Sequence, residues 1–311
     1  MPAVSVIVPV YKVEEYIERC ARALFGQTME DLEFIFVDDC TPDASMDILA
    51  RVLDDYPQRR GQVTILRNDV NRGLPFTRRR GVEIATGDYI IHCDSDDWPE
   101  PDMYAKLYAK AREENLDMVM CQNRIVYPDH TELCWDKLGD ENPIGALIRQ
   151  DILNHVWDKL VTRKAYEKGV VFPAYNMLED TALIIQLAFN CETFGYVYEP
   201  LYNYFYRESS LINGKDSARK MYEMLGNLNL AFSCLEAKGL AKEYKKDILQ
   251  AKCWLKDIAK NIPRDSYFDP YPEVNFAYIF NRHFPLKHRL GHVTDMLGIH
   301  GISKVFKRRE R

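Results

Sequence analysis

Along the first 120 residues, short and almost wholly apolar runs alternate with stretches in which apolar residues recur every three or four positions. The runs begin near Val4, Phe34, Val63, Asp88 and Asp117, and a repeat of roughly thirty residues is the period of a strand, a crossover helix and a parallel strand. Between the first two runs, Val13, Tyr16, Ile17, Cys20, Ala21 and Leu24 fall at i, i+3, i+4, i+7, i+8 and i+11, the single buried stripe of an amphipathic helix. The segments V-S-V-I-V, F-I-F-V and Y-I-I-H lack the polar alternation of half-exposed strands, so both of their faces should be covered by helices. The pattern predicts an α/β fold built on an open, doubly wound, mostly parallel sheet.

Beyond residue 120 the pattern loosens. Tyr127–Asn142 is polar and turn-rich, helical periodicity returns near 143–154 and 178–190, and an aromatic run extends from Tyr196 to Gly214. Residues 215–260 read as two helices broken at Lys238-Gly239, and Pro263–Pro272 reads as a linker. There is no internal repeat.

At 311 residues, 47% apolar and 28% charged, the chain exceeds what one core usually serves, which calls for a large α/β unit plus an appendage. The net charge of −6 argues against a protein that grips nucleic acid by its phosphates. Charge is unevenly spread: residues 282–311 hold eight Lys/Arg against two Asp/Glu, a net +6, which leaves −12 for residues 1–281. The eight cysteines form no CxxC pair and no zinc-like cluster, so they read as small buried hydrophobes of a reducing compartment. The opening M-P-A-V-S-V has neither the basic start nor the cleavage site of a secretory signal, and no apolar stretch approaches the eighteen or so residues that span a bilayer. A cytoplasmic location is expected.

Ligands of an open parallel sheet bind at the carboxyl ends of its strands. There strand one runs into Pro9-Val10-Tyr11, strand two into Asp38-Asp39-Cys40-Thr41-Pro42-Asp43, and the strand before Cys93 into Asp94-Ser95-Asp96-Asp97. The carboxylates of Asp38, Asp39, Asp94, Asp96 and Asp97 on one rim repel one another unless something positive lies between them, and Mg²⁺ or Mn²⁺ with its oxygen ligands is the natural resident. No glycine-rich phosphate loop is present, so the metal would also serve a bound phosphate. The segment Asn71–Gly81 adds Arg78, Arg79 and Arg80; consecutive helical positions diverge, so one of the three should face the site and the others solvent.

The motifs V-S-V-I-V-P-V-Y-K-V-E-E-Y-I, F-V-D-D-C-T-P-D, N-R-G-L, A-T-G-D-Y-I and D-S-D-D, in this order and spacing, resemble glycosyltransferase family 2 with its GT-A fold, densely over residues 3 to about 100. The likeness continues through Val156-Trp157-Asp158-Lys159-Leu160, Phe172-Pro173, Glu179-Asp180 and Pro200-Leu201-Tyr202-Asn203-Tyr204, as in bacterial enzymes that build capsule, exopolysaccharide or lipopolysaccharide. It implies a glycosyltransferase domain over 1–210, with a nucleotide-sugar half (1–105) and an acceptor half (106–210), followed by a helical region over 211–311. It implies Pro9 and Tyr11 at the nucleotide base, Asp39 on the uracil side, and Arg79 at the donor. Asp94 and Asp96 become the DxD pair that meets ribose and metal-bridged diphosphate, Asp96 being the metal ligand with Asp97 as its alternative. Two positions depart from the family: Arg80 stands where Asn is usual, and Cys40 where Gly is common.

Transfer to an acceptor hydroxyl needs a carboxylate base opposite the leaving group. The resemblance assigns that role to Asp180, with Glu179 and Asp158 next in line, and implies inversion of the anomeric centre. Asp and Glu in a first helical turn also favour the helix dipole without any catalytic duty. Lys159 and the aromatic run are weighed as acceptor or diphosphate contacts against the plainer reading of a buried strand face, and His92 and His155 as packed core residues. The partners expected are a UDP-linked donor and a saccharide or lipid-linked acceptor. A sugar-phosphate nucleotidyltransferase should carry glycine and arginine after strand one, where V-P-V-Y-K-V-E-E-Y has neither; a non-catalytic binding module should lack a DxD or E-D carboxylate, and none is missing. Leu286, Leu290, Val293 and Leu297 form a stripe ahead of the closing K-R-R-E-R, an arrangement that either lies on the anionic inner face of the cell membrane or packs onto the protein.

Overall fold

The computed structural model describes residues 2–134, 142–207, 217–259 and 269–296. Strand β1 (Val4–Val10) lies between β2 (Leu32–Asp38) and β4 (Tyr89–His92), parallel to both, and β3 (Val63–Arg67) extends the parallel set beyond β2. Helices α1 (Ile17–Phe25), α2 (Ser45–Asp54) and α3 (Leu74–Ile84) make the crossovers. Among the described residues the strands form one nine-stranded sheet in the order β3-β2-β1-β4-β8-β6-β9-β5, with β7 (Thr131–Cys134) against β6 (Met118–Val126). Strand β8 (Lys159–Thr162) runs antiparallel to β4 and β6, β9 (Phe194–Phe205) runs parallel to β6, and the short β5 (Trp98–Pro99) runs antiparallel to β9. Five expected strand starts thus lie within two residues of the observed ones, at Val4, Leu32, Val63, Tyr89 and Met118.

Because side chains of a strand point alternately to its two faces, β1 feeds two cores at once. Val4, Val6, Val8 and Val10 join Cys20, Ala21 and Leu24 of α1, Leu49 and Val52 of α2, and Tyr104 and Leu107 of α4 (Met103–Glu113). Ile7 faces the other way, into a cluster with Leu147 of α5 (Ile144–Arg149), Ala165 of α6 (Arg163–Glu167) and Leu183, Ile184 and Leu187 of α7 (Glu179–Asn190). The expected border at 210/211 lies outside the described residues, but Ala231 and Leu235 of α8 (Ser217–Ala237) and Ala251 of α9 (Lys245–Ala259) complete this second cluster. The helical region therefore shares its core with the sheet. A third cluster joins α8 and α9 to Tyr271, Val274, Tyr278 and Phe284, around α10 (Asn275–Phe280) and ahead of α11 (Leu286–Met296).

One close approach sets the height of α3 above the sheet: a Cβ added at Gly81 would sit 2.4 Å from Ile7 Cγ2. No side chain fits there, and the helix settles onto β1 with Arg78, one turn earlier, on its buried face. Gly81→Ala gains up to about 1 kcal/mol in helix propensity but overpacks the contact at roughly 1–3 kcal/mol. Urea unfolding should register a net loss of about 1–2 kcal/mol; unchanged or raised stability would mean that α3 is not seated by this contact.

Candidate active site

Strand order turns back at β1, since β2 and β3 lie to one side of it and β4 to the other. Crevices form at such a switch point, and the acidic motifs meet there. The rim does not hold five equivalent carboxylates. Asp38 caps its own turn, accepting the Thr41 amide at 2.7 Å with Arg67 at 3.4 Å. Asp39 is buried and holds the loop before α3, accepting the Arg72 amide (2.7 Å), the Gly73 amide (2.9 Å) and Asn68 Nδ2 (2.7 Å). Cys40 between these turns takes φ +55°, the left-handed conformation that glycine adopts most readily.

Asp97 departs from expectation. It is fully buried, Tyr202 donates its hydroxyl to Oδ2 at 3.0 Å, and the Phe205 amide donates to Oδ1 at 2.7 Å. Burial, with the charges of Asp96 and Asp94 adding to it, pushes its carboxyl well above the usual range. Asp97 is thus an anchor between the DxD turn and β9, and its inward-turned oxygens do not suit an alternative metal ligand. Much of the repulsion along the rim is answered by the protein itself.

Two carboxylates of the motif remain at the crevice, each on a guanidinium. Asp94 Oδ1 accepts Arg78 Nη2 at 2.6 Å, and Asp96 Oδ2 pairs with Arg207. Arg78 is fully buried, and its Nη1 donates to both Glu179 and Asp180 at the start of α7. Arg79, the expected donor contact, instead points to solvent, paired with Glu83 at 2.7 Å, and Arg80 reaches the Arg67 carbonyl and Asn68. One arginine of three faces the site, and it is Arg78. The sequence does carry a signal for this: Arg78 stands on the stripe of Leu74, Val82 and Ala85, where an apolar residue would be expected.

Three acidic groups around one cation leave an excess of negative charge. Burial pushes the Asp94 carboxyl up to about 6 despite Arg78, and Asp180 and Asp96 add to the rise. Of the α7 pair, Glu179 is 5% exposed and Asp180 22%, so only Asp180 presents its carboxylate to the crevice. Behind the site His92 is buried against the Tyr166 hydroxyl at 3.2 Å, and burial with Arg78 nearby brings its pKa down to about 3. His155 stacks on Trp157 with ring centres 4.2 Å apart. His92 is a packed core residue, as read from the sequence, whereas His155 is only half-buried.

Tyr202, weighed in the sequence only as one member of the aromatic run, holds the DxD turn. Its hydroxyl accepts the Asp94 amide at 3.0 Å while donating to Asp97, so one buried phenol fixes both ends of D-S-D-D. The rest of its strand follows the plainer reading in part, with Trp157 stacked on Tyr202 (4.2 Å) and Tyr204 (6.2 Å). Lys159 is no ligand contact: its ammonium is buried on the Leu153 and His155 carbonyls and on Asp158. That pairing also takes Asp158 out of line as a base. Pro9 is buried in β1, while Tyr11 just beyond it is 39% exposed. Beside it Lys12, Glu14, Tyr16, Pro42, Asp43 and Arg207 help to line a cleft of about 380 Å³. Among the described residues no group of three or more His, Cys, Asp or Glu side chains is arranged to hold a metal ion.

The order of these motifs matches the family model described as glycosyl transferase family 2 over residues 5–178. The chain belongs to that family. EpsH of Bacillus subtilis (strain 168), which carries the name of a glycosyltransferase, is 31% identical over 79% of this chain and 73% of its own. The fold is similar to that of S. aureus TarS 1–349, solved with UDP-GlcNAc, at a TM-score of 0.64 and 16% identity over 99% of this chain and 92% of that one. It is also similar to the mannosyltransferase PcManGT of Pyrobaculum calidifontis, solved with GDP-Man and Mn²⁺, at 0.60 and 16% identity over 96% and 76%. The enzyme is thus a glycosyltransferase with a GT-A sheet and a helical C-terminal region.

The buried cluster makes the enzyme's stability depend on Arg78. Removing one partner of a buried ion pair strands the others without compensation, at roughly 3–5 kcal/mol. Arg78→Ala should lose about that much in urea unfolding, whereas Arg79→Ala should stay within about 0.5 kcal/mol, as solvent-facing substitutions do. Equal effects of the two would refute the placement of Arg78.

Proposed function

We propose that the enzyme moves a sugar from a UDP-linked donor to a hydroxyl of a saccharide or lipid-linked acceptor, with inversion, using a divalent cation and Asp180 as general base. The observation that carries this reading is Arg78, which ties Asp94 of the DxD turn to Asp180 of α7. A donor-side carboxylate and an acceptor-side carboxylate thereby face one crevice.

In this reading Pro9 and Tyr11 border the nucleotide base, and Asp39 shapes the base pocket through the Arg72–Gly73 loop that it holds. Asp94, fixed by Arg78, meets the ribose. Asp96 would hold the cation. Its fit rests on the donor chemistry: a carboxylate at the rim whose partner is already a cation, the Arg207 guanidinium, with the remaining oxygen ligands left for a diphosphate. When bound, Mn²⁺ or Mg²⁺ would offset charge on the departing diphosphate. Asp180 accepts the proton of the acceptor hydroxyl as its oxygen bonds to the anomeric carbon. The bond from that carbon to the donor's phosphate oxygen breaks on the opposite face, and its electron pair leaves with UDP. The likeness to TarS, solved with UDP-GlcNAc, and to PcManGT, solved with GDP-Man, supports a nucleotide-sugar donor.

Thermal-shift titration with Mn²⁺ should raise the melting temperature more for UDP than for GDP, by selective binding to the folded state. Asp96→Ala should abolish the metal-dependent part of that rise. Asp180→Asn should keep it and lose turnover by roughly 10²–10⁴-fold. A stronger response to GDP would overturn the donor, full activity of Asp96→Ala in EDTA the metal, and undiminished turnover of Asp180→Asn the base.

A location on the inner face of the cell membrane is the second part of the proposal. No described helix is long and apolar enough to cross a bilayer. Phe276 and Phe280 on α10 and Leu286 and Leu290 on α11 are nonetheless 72%, 75%, 60% and 49% exposed. Leu297, Ile302, Val305, Phe306 and the basic run 307–311 lie outside the described residues. Exposed apolar groups followed in sequence by a positively charged segment suit an anionic surface, where each Lys or Arg contributes about 1 kcal/mol. The full chain should pellet with phosphatidylglycerol-containing vesicles at low salt and be released as salt rises, and the Phe276→Ser, Phe280→Ser double variant should stay in the supernatant. Equal partitioning of the two proteins would remove the membrane from the proposal.

A further inference from the structure

On the acceptor side a second concavity, of about 420 Å³, opens between the loop ahead of α7 and the first half of α8. Its walls include two tyrosines that keep much of their surface exposed, Tyr175 at 49% and Tyr222 at 62%, and three planar polar groups, those of Arg219, Glu223 and Asn229.

The wall is built rather than incidental. A Cβ at Gly226 would lie 2.6 Å from Tyr175 Cε2, so only glycine lets the Tyr175 ring lie against α8. Asn227, buried one residue on, donates its amide to the carbonyls of Tyr175 (2.7 Å) and Met177 (2.8 Å) and pins the loop. Glu223 accepts Arg219 Nε at 3.0 Å and the Met177 amide at 3.4 Å, and Asn176 accepts the Leu74 amide at 3.2 Å. This loop runs through Leu178, at φ +58°, directly into Glu179 and Asp180. Tyr175 and the proposed base thus belong to one pinned stretch of six residues.

The lining selects a ligand class. Arg219 and Glu223 cancel in charge, so the cleft does not favour a diphosphate. Aromatic faces beside paired hydrogen-bonding groups fit a neutral sugar ring, whose C–H face packs on a ring while its hydroxyls reach planar donors and acceptors. We infer that this cleft binds a neutral saccharide unit of the acceptor, with Tyr222 as its stacking platform. The inference rests on the glycosyl-transfer reading above, because that reading supplies a saccharide acceptor, and the loop that carries Tyr175 leads in sequence into Asp180.

The test is titration of the full chain, with and without UDP and Mn²⁺, by the methyl β-glycosides of glucose, galactose and N-acetylglucosamine, followed by saturation-transfer NMR. At least one glycoside should bind, its affinity should fall roughly tenfold or more in Tyr222→Ala for want of one ring's packing, and Tyr222→Phe should bind like the parent. UDP affinity should be the same in all three proteins, which shows that they are folded. Binding of none of the glycosides, or equal binding by Tyr222→Ala, would overturn the inference. If UDP binds and no glycoside does, the donor reading survives without this subsite. If a glycoside binds through Tyr222 and UDP does not, the subsite survives and the donor reading falls.

Discussion

One guanidinium sets the geometry of this enzyme. Arg78 is wholly buried, on a helix packed against β1, and its donors reach Asp94 at the end of β4 and Glu179 and Asp180 at the start of α7. An arginine can do this because its donors form a rigid planar fork that stays charged at any pH the protein meets. Glycine at position 81 is the matching backbone condition, since a side chain there would crowd Ile7 and disturb the seating of α3 on β1. The cation costs desolvation, and three carboxylates around it repay that cost while leaving the centre short of positive charge.

The remaining acidic groups show how a rim can be crowded with carboxylates and still fold. Asp38 and Asp39 are spent on backbone amides, which makes them part of the loops that border the crevice. Asp97 is turned inward onto Tyr202 and the Phe205 amide, so that β9 holds the DxD turn from behind. Asp94, Asp96 and Asp180 keep part of their side chains exposed at the crevice. Chemistry and architecture are thereby divided among neighbours of the same residue type.

Both halves of the enzyme depend on a shared core. Ile7 of the first strand and Leu183, Ala231 and Ala251 of the later helices belong to one apolar cluster, so the cleft on α8 is held against the same sheet that presents the acidic rim. The loop 175–178 fixes that relation locally, with hydrogen bonds to α8 on one side and to the start of α3 on the other.

Much of this was legible in the sequence, because burial on both faces of a sheet demands continuous apolar runs and a helix on a sheet demands one stripe. Those demands act locally, and they place the strands from Val4, Phe34, Val63, Asp88 and Asp117 and the stripe of α1. The motif order likewise carries the family, the acidic turns and the E-D pair. What the chain could not disclose by itself is orientation. Three successive arginines differ by about 100° around a helix, and only the seating of α3 on Ile7 decides that Arg78 enters the site while Arg79 meets Glu83 and solvent. Two adjacent aspartates offer two registers, and only the arrival of Tyr202 and Phe205, more than a hundred residues later, decides that Asp97 is an anchor and Asp96 faces out. Local pattern fixes which residues must be buried somewhere; long-range packing decides which neighbour each one is buried against.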